Sequence, residues 1–171
     1  MSQFKPIQPF FSQLRALVIV PTLQKMAVYV PALDSPAARN LVLGTVAQET
    51  GGKYLAEWPT GPGSGLWQME PATHDDIVAT FLPRVPALET LVGAMLSPAF
   101  TAHDQLVANL HYSCAIARLF YYRIRQPLPA AGDISGLGRY WKTFYNTAAG
   151  GGTVEQFVAN FENLIGAPPD V

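Results

Sequence analysis

Charge is scarce in this sequence: Asp, Glu, Lys and Arg make up 13% of its 171 residues, about half the ~25% usual in soluble domains. The 11 basic and 12 acidic residues leave a net charge of −1, so the chain lacks the basic excess of a nucleic-acid binder. Cysteine is almost missing. Cys114 stands alone, which excludes an internal disulfide and a cysteine-rich zinc site and predicts a small buried hydrophobe. No apolar run approaches the roughly 20 residues of a membrane-spanning helix. The greasiest early stretch, Ala16 to Val20, is closed by Pro21 and followed by Gln24 and Lys25. That is too short for a signal-peptide core, so no export signal is expected. The three histidines, His74, His103 and His111, form no HExxH or comparable ligand spacing. Neither a metal nor a cofactor is expected, and Asp75-Asp76 read as a complement to a helix N-terminus.

What the chain does have is apolar content, 49% of its residues, which excludes disorder. A chain of this length forms one domain that removes about 70% of its unfolded surface from water. The punctuation is helical almost throughout. Ser35-Pro36 has the form of an N-cap with proline at the first helical position, opening a helix to about Glu49 that Gly51-Gly52 ends. Thr73 with Asp76 predicts a helix start and a run to about Leu82, and Ser97-Pro98 a long helix stopped by Pro127. Within that helix only Arg118 and Arg123 interrupt the apolar or small run from Tyr112 to Ile124, the pattern of a buried central helix. Leu137, Tyr140, Trp141, Phe144 and Tyr145 mark one face of another helix. Thr153 and Gln156 open a last one, whose stripe from Val154 to Ile165 is closed by Gly166. Phe10 to Val30 predicts two short helices broken near Pro21. The expectation is a mainly α, single-domain fold wrapped on a central buried helix. Residues 1–34 would be a helical extension packed on a domain of residues 35–171, with at most a short β-excursion around 53–66.

Ala38, Val42, Thr45 and Glu49 follow helical spacing, which puts the Glu49 carboxyl on a partly apolar face at a helix C-terminus. Desolvation and the negative end of the helix dipole both disfavour its charged form, as a general acid working near neutral pH requires. A solvated glutamate at a helix end has the same sequence position. The aromatic residues Tyr54, Trp58 and Trp67 around the turn-rich segment suit either sugar stacking or ordinary packing.

Gly65-Leu66-Trp67-Gln68-Met69-Glu70-Pro71-Ala72-Thr73 resembles the Gly-Leu-Met-Gln-x-x-Pro-x-Thr signature of lytic transglycosylases and goose-type lysozymes. In that family a catalytic glutamate at a helix end precedes the signature by a few dozen residues, where Gln48-Glu49-Thr50-Gly51 stands here. Phe144-Tyr145-Asn146-Thr147-Ala148-Ala149-Gly150 is similar to the family's Ala-Tyr-Asn-Ala-Gly stretch. The three elements occur in the family's order over positions 49 to 150. Gly44 to Glu49 and Gln68 to Ile77 also look like the small virion-associated members of tailed bacteriophages.

The resemblance implies a lysozyme-like fold and cleavage of the β-1,4 bond between N-acetylmuramic acid and N-acetylglucosamine. Glu49 would give its proton to the glycosidic oxygen, then act as base on the muramoyl C6 hydroxyl. Leu66, Gln68 and Met69 would line the sugar groove. The Tyr145 hydroxyl would orient Glu49 or the substrate N-acetyl group, and Asn146 would serve the groove or hold its loop. Glu70 occupies a usually apolar signature position and reads either as a base for hydrolysis or as a cap of the following helix. Thr50 replaces the family's serine. The implied partners are peptidoglycan strands and other phage structural proteins, and the implied location is a phage particle acting in the host periplasm. The alternative is a structural virion protein that keeps the fold with little or no activity. A surface poor in basic residues offers little attraction to an anionic wall polymer, which suits an enzyme placed at its substrate by a particle.

Overall fold

A computed structural model describes residues 7–57, 61–147 and 150–170. The fold is mainly helical. α1 (Pro9–Leu14) runs through a π turn at Arg15–Ile19 into α2 (Val20–Ala27), so the expected break near Pro21 does not occur. Proline lacks the N–H that an α-helix interior needs, and the widened turn just before it carries the chain past that gap. A 3₁₀ turn at Pro31–Leu33 leads to α3 (Pro36–Glu49). Ser35 caps α3 by accepting from the Ala38 amide at 3.1 Å. Every residue from Asn40 to Ala47 is buried, and so is every residue from Tyr112 to Leu119 of α7 (Leu110–Tyr122). The core therefore has two buried helices in contact with each other, not one. Arg118 enters that core with no carboxylate in ion-pair contact among the described residues. Its Nε and Nη2 donate to the Leu33 and Ala32 carbonyls at 2.8 and 2.9 Å, and burial lowers its pKa to about 10.

α3 packs against α9 (Val154–Leu164), and Gly44 allows the close contact. A Cβ at Gly44 would lie 2.6 Å from Phe157 Cζ and 3.0 Å from Phe161 Cδ2. The Thr153/Gln156 capping box opens α9 as expected, and Gly166 ends it at φ 84°. α8 (Ile134–Trp141), capped by Asp133, continues as a π turn through Lys142–Asn146 and packs on α3 and α9. The N-terminal run packs on α3 and α7.

The middle of the chain departs from expectation. α4 (Pro71–Asp76) starts two residues ahead of Thr73 and continues as a π turn to Phe81. Glu70 holds its N-cap position without a side-chain cap bond. α5 (Pro86–Gly93) follows. The helix expected from Ser97-Pro98 is replaced by a turn, α6 (Ala102–Ala108) and α7. Thr101 and Asp104 form the capping box of α6. Asn109 is extended and caps α7 through the Tyr112 amide at 3.1 Å, splitting the run in two. Around residues 53–66 the described β-structure is the bridge Ala56–Ser64, with a second from Ser64 to Met69. Gly65 makes that loop possible. Its φ is 72°, and a Cβ there would fall 2.0 Å from the Leu106 carbonyl oxygen. Among the described residues no helix is long and apolar enough to cross a membrane.

Candidate active site

Glu49 is the last residue of α3, where the helix leaves the core. Trp141 Nε1 donates to Glu49 Oε1 at 2.7 Å, and the indole is itself fully buried, stacked on Phe157 at 5.6 Å between ring centres. Burial pushes the Glu49 pKa up to about 7. The Trp141 bond opposes that rise, and the nearby charge of Glu57 adds to it. Thr50 ties this helix end to the signature loop, its hydroxyl donating to the Leu66 carbonyl at 3.1 Å.

Two adjoining hollows of about 370 and 350 Å³ form one groove here, sharing Gln68, Glu70, Tyr145 and Asn146. Glu49, Glu57 and Gly150 line the first. Met69, Thr73, Phe120 and Phe144 line the second. The described residues other than glycine with positive φ are Gln68 (49°) and Thr147 (62°), and both line the groove. A β-branched residue at such a φ is a backbone outlier costing on the order of 1–3 kcal/mol, of the kind that clusters at functional sites. Hydrogen bonds fix Gln68 itself and the residues on either side of Thr147. Gln68 Nε2 donates to the Gly65 carbonyl at 2.7 Å. Lys142 Nζ donates to Asn146 Oδ1 and the Gly150 carbonyl at 2.7 and 2.8 Å.

The sequence-predicted residues separate into three groups. Glu49, Gln68, Met69, Tyr145 and Asn146 meet at the groove, Asn146 also holding its loop. Leu66 and Trp67 belong to the core instead. Both are buried, and the Trp67 indole donates to the Val42 carbonyl at 3.0 Å, so it presents no face to a sugar. Tyr54 is exposed but outside the lining of both hollows, and Trp58 lies outside the described residues, as do Ala148 and Ala149. The Tyr145 hydroxyl donates to the Trp67 carbonyl at 2.5 Å and not to Glu49. Its ring stacks on Tyr121 at 5.3 Å. Burial holds the Tyr121 and Tyr145 hydroxyls neutral.

Glu70 is exposed on the groove wall, and at the N-cap position of α4 its side chain makes no cap bond. Glu57 and Trp141 were not singled out for the site from the sequence. Trp141 carried a helical-face signal, but its partner is 92 residues away. Glu57 sits in the turn-rich segment, where its carboxylate accepts from the Gly63 amide at 3.1 Å. The chain matches no family model, no curated protein and no solved structure.

Proposed function

We propose that this chain is a peptidoglycan-cleaving enzyme of the lytic transglycosylase or muramidase type, with Glu49 as general acid and base. The observation that carries the reading is a half-buried carboxyl with a pKa of about 7, held by an indole N–H and lining the groove. Half of such a carboxyl is protonated at neutral pH, the condition for proton transfer to a glycosidic oxygen worth about 10²–10⁴ in rate. In the forward step the Glu49 proton passes to the leaving-group oxygen as the C1–O bond breaks. The resulting carboxylate then accepts a proton from the attacking hydroxyl. If that hydroxyl is the muramoyl C6–OH, the product is a 1,6-anhydro sugar. If it is water, the product is a reducing end. Glu57 and Glu70 on the walls are the further carboxylates present for the hydrolytic case. Cleavage from within a phage particle, acting in the host periplasm beside other particle proteins, is part of the same proposal and rests on the signature resemblance.

The test is digestion of purified sacculi by the protein and by Glu49→Gln, with the released muropeptides read by mass spectrometry. The expected result is release by the parent alone. Equal release by both removes Glu49 from the mechanism, and no release by either favours a structural particle protein with this fold.

A further inference from the structure

His74, Asp75 and His103 meet where α4 adjoins α6, outside the lining of the two hollows described above. His74 Nδ1 and His103 Nε2 each lie within hydrogen-bond distance of one atom, Asp75 Oδ1, at 2.8 and 2.7 Å. The three donor atoms all fall within 4.8 Å of one another. We propose that they form a binding site for a divalent transition-metal ion of the Zn²⁺ class.

The donor set is two imidazole nitrogens and a carboxylate oxygen, which such ions take at about 2.0–2.2 Å. Tetrahedral bonds of that length place donor atoms roughly 3.3 Å apart, so small side-chain movements from the present spacing suffice. One ligand is already fixed. His74 is 3% exposed, and its other ring nitrogen, Nε2, lies 2.6 Å from the Tyr112 hydroxyl. In the tautomer where Nε2–H donates to Tyr112, Nδ1 is left bare for a metal. Metal-bound histidines are normally oriented by this kind of outer hydrogen bond. Asp75 and His103 are exposed, which leaves a fourth position open to water, the pattern of a three-ligand site.

The ligands come from two helices, α4 and α6. A bound ion would fasten α6 to the helix that begins directly after Glu70 and carries Thr73 on the groove wall. Its effect is therefore on the rigidity of that wall and on stability, and it holds whether or not the groove cleaves peptidoglycan.

The experiment is calorimetric titration of chelator-treated protein with Zn²⁺ at pH 7.5, repeated with Co²⁺ while the visible absorption of a tetrahedral site is followed. His103→Ala and Asp75→Asn are the test variants, both at exposed positions. His111→Ala is the control, and circular dichroism checks each fold. The expected result is one ion per chain, at least about tenfold weaker binding in both test variants, and unchanged binding in the control. At a hundredfold excess over Kd, the parent should melt about 5–10 °C higher with Zn²⁺. No saturable binding would overturn the proposal and leave a hydrogen-bonded surface triad. Undiminished binding in the two test variants, or a loss confined to His111→Ala, would overturn it by placing the ion elsewhere.

Discussion

Replacing Glu49 by glutamine should make the protein more stable, by an amount that grows between pH 4.5 and about pH 7 and is nearly constant above that. The folded chain raises the Glu49 pKa from 4.5 to about 7, so the native state holds this proton more tightly than the unfolded chain does. The associated stability is fully present below pH 4.5 and is lost as pH rises through about 7, because each native molecule must then bury a charge. At about 1.4 kcal/mol per pH unit, the difference amounts to roughly 3 kcal/mol above pH 8. Glutamine keeps the shape and the acceptor for the Trp141 N–H and never ionises. Urea unfolding of both proteins at intervals from pH 4 to pH 8.5 measures the effect, and other titrating groups cancel in the comparison. The two should unfold alike at pH 4. By pH 8.5 the variant should be about 3 kcal/mol more stable, a midpoint gap on the order of 1–3 M urea. A gap that stays constant across that range would refute the reasoning, since it would mean that Glu49 titrates alike in the folded and unfolded chains.

Trp141→Phe removes the donor that lowers the Glu49 pKa. The alkaline limb of the sacculus-digestion pH profile should move to higher pH, alongside a stability loss of about 1–3 kcal/mol. Tyr145→Phe leaves the Trp67 carbonyl without its hydroxyl partner; denaturant melts should show a loss of about 1–3 kcal/mol with the pH profile unmoved. Gly65→Ala combines a positive φ with a backbone clash at 2.0 Å, and thermal melting should report a cost above about 3 kcal/mol or no folded protein. Gly44→Ala should cost about 1–3 kcal/mol by overpacking against Phe157 and Phe161.

The parts of the fold that could be read in advance are those governed by neighbours in sequence. Ser35 caps α3, the Thr153/Gln156 box opens α9 and Gly166 closes it, because caps act within three or four residues. The errors arose where one local signal competed with another. Ser97-Pro98 has the form of a helix start, but Gln105 binds the Ser97 amide and the Ser97 and Phe100 carbonyls into a turn. Asn109 passed as helix interior until its own cap bond split the run. At the site, the position of Glu49 at a helix end fits a solvated glutamate as well as a desolvated one; the signature resemblance singles it out in the sequence, and its bond to Trp141, 92 residues away, appears only in the fold. The placement of Trp67 was not legible, since an indole in a turn-rich segment gives no sign of whether it faces out or, as here, reaches Val42 in α3. The His74–Asp75–His103 cluster escaped for a related reason: its members sit on two helices whose spacing in sequence has no period.

Asp170 lies near the end of the described chain, yet it is buried. It accepts from Arg15 at 2.5 and 2.6 Å and from Arg39 at 3.3 Å, while its own carbonyl accepts from Asn40 at 2.6 Å. The Gln8 amide reaches the Leu164 carbonyl at 3.0 Å nearby. The first and last elements are thereby knotted to α3 and to each other, so the leading helices are a closing member of the core and not an appendage. The practical consequence is topological. The clasp closes a loop between residues 155 apart in sequence, and losing Arg15 would leave the buried Asp170 carboxylate with Arg39, at 3.3 Å, as its remaining cation among the described residues.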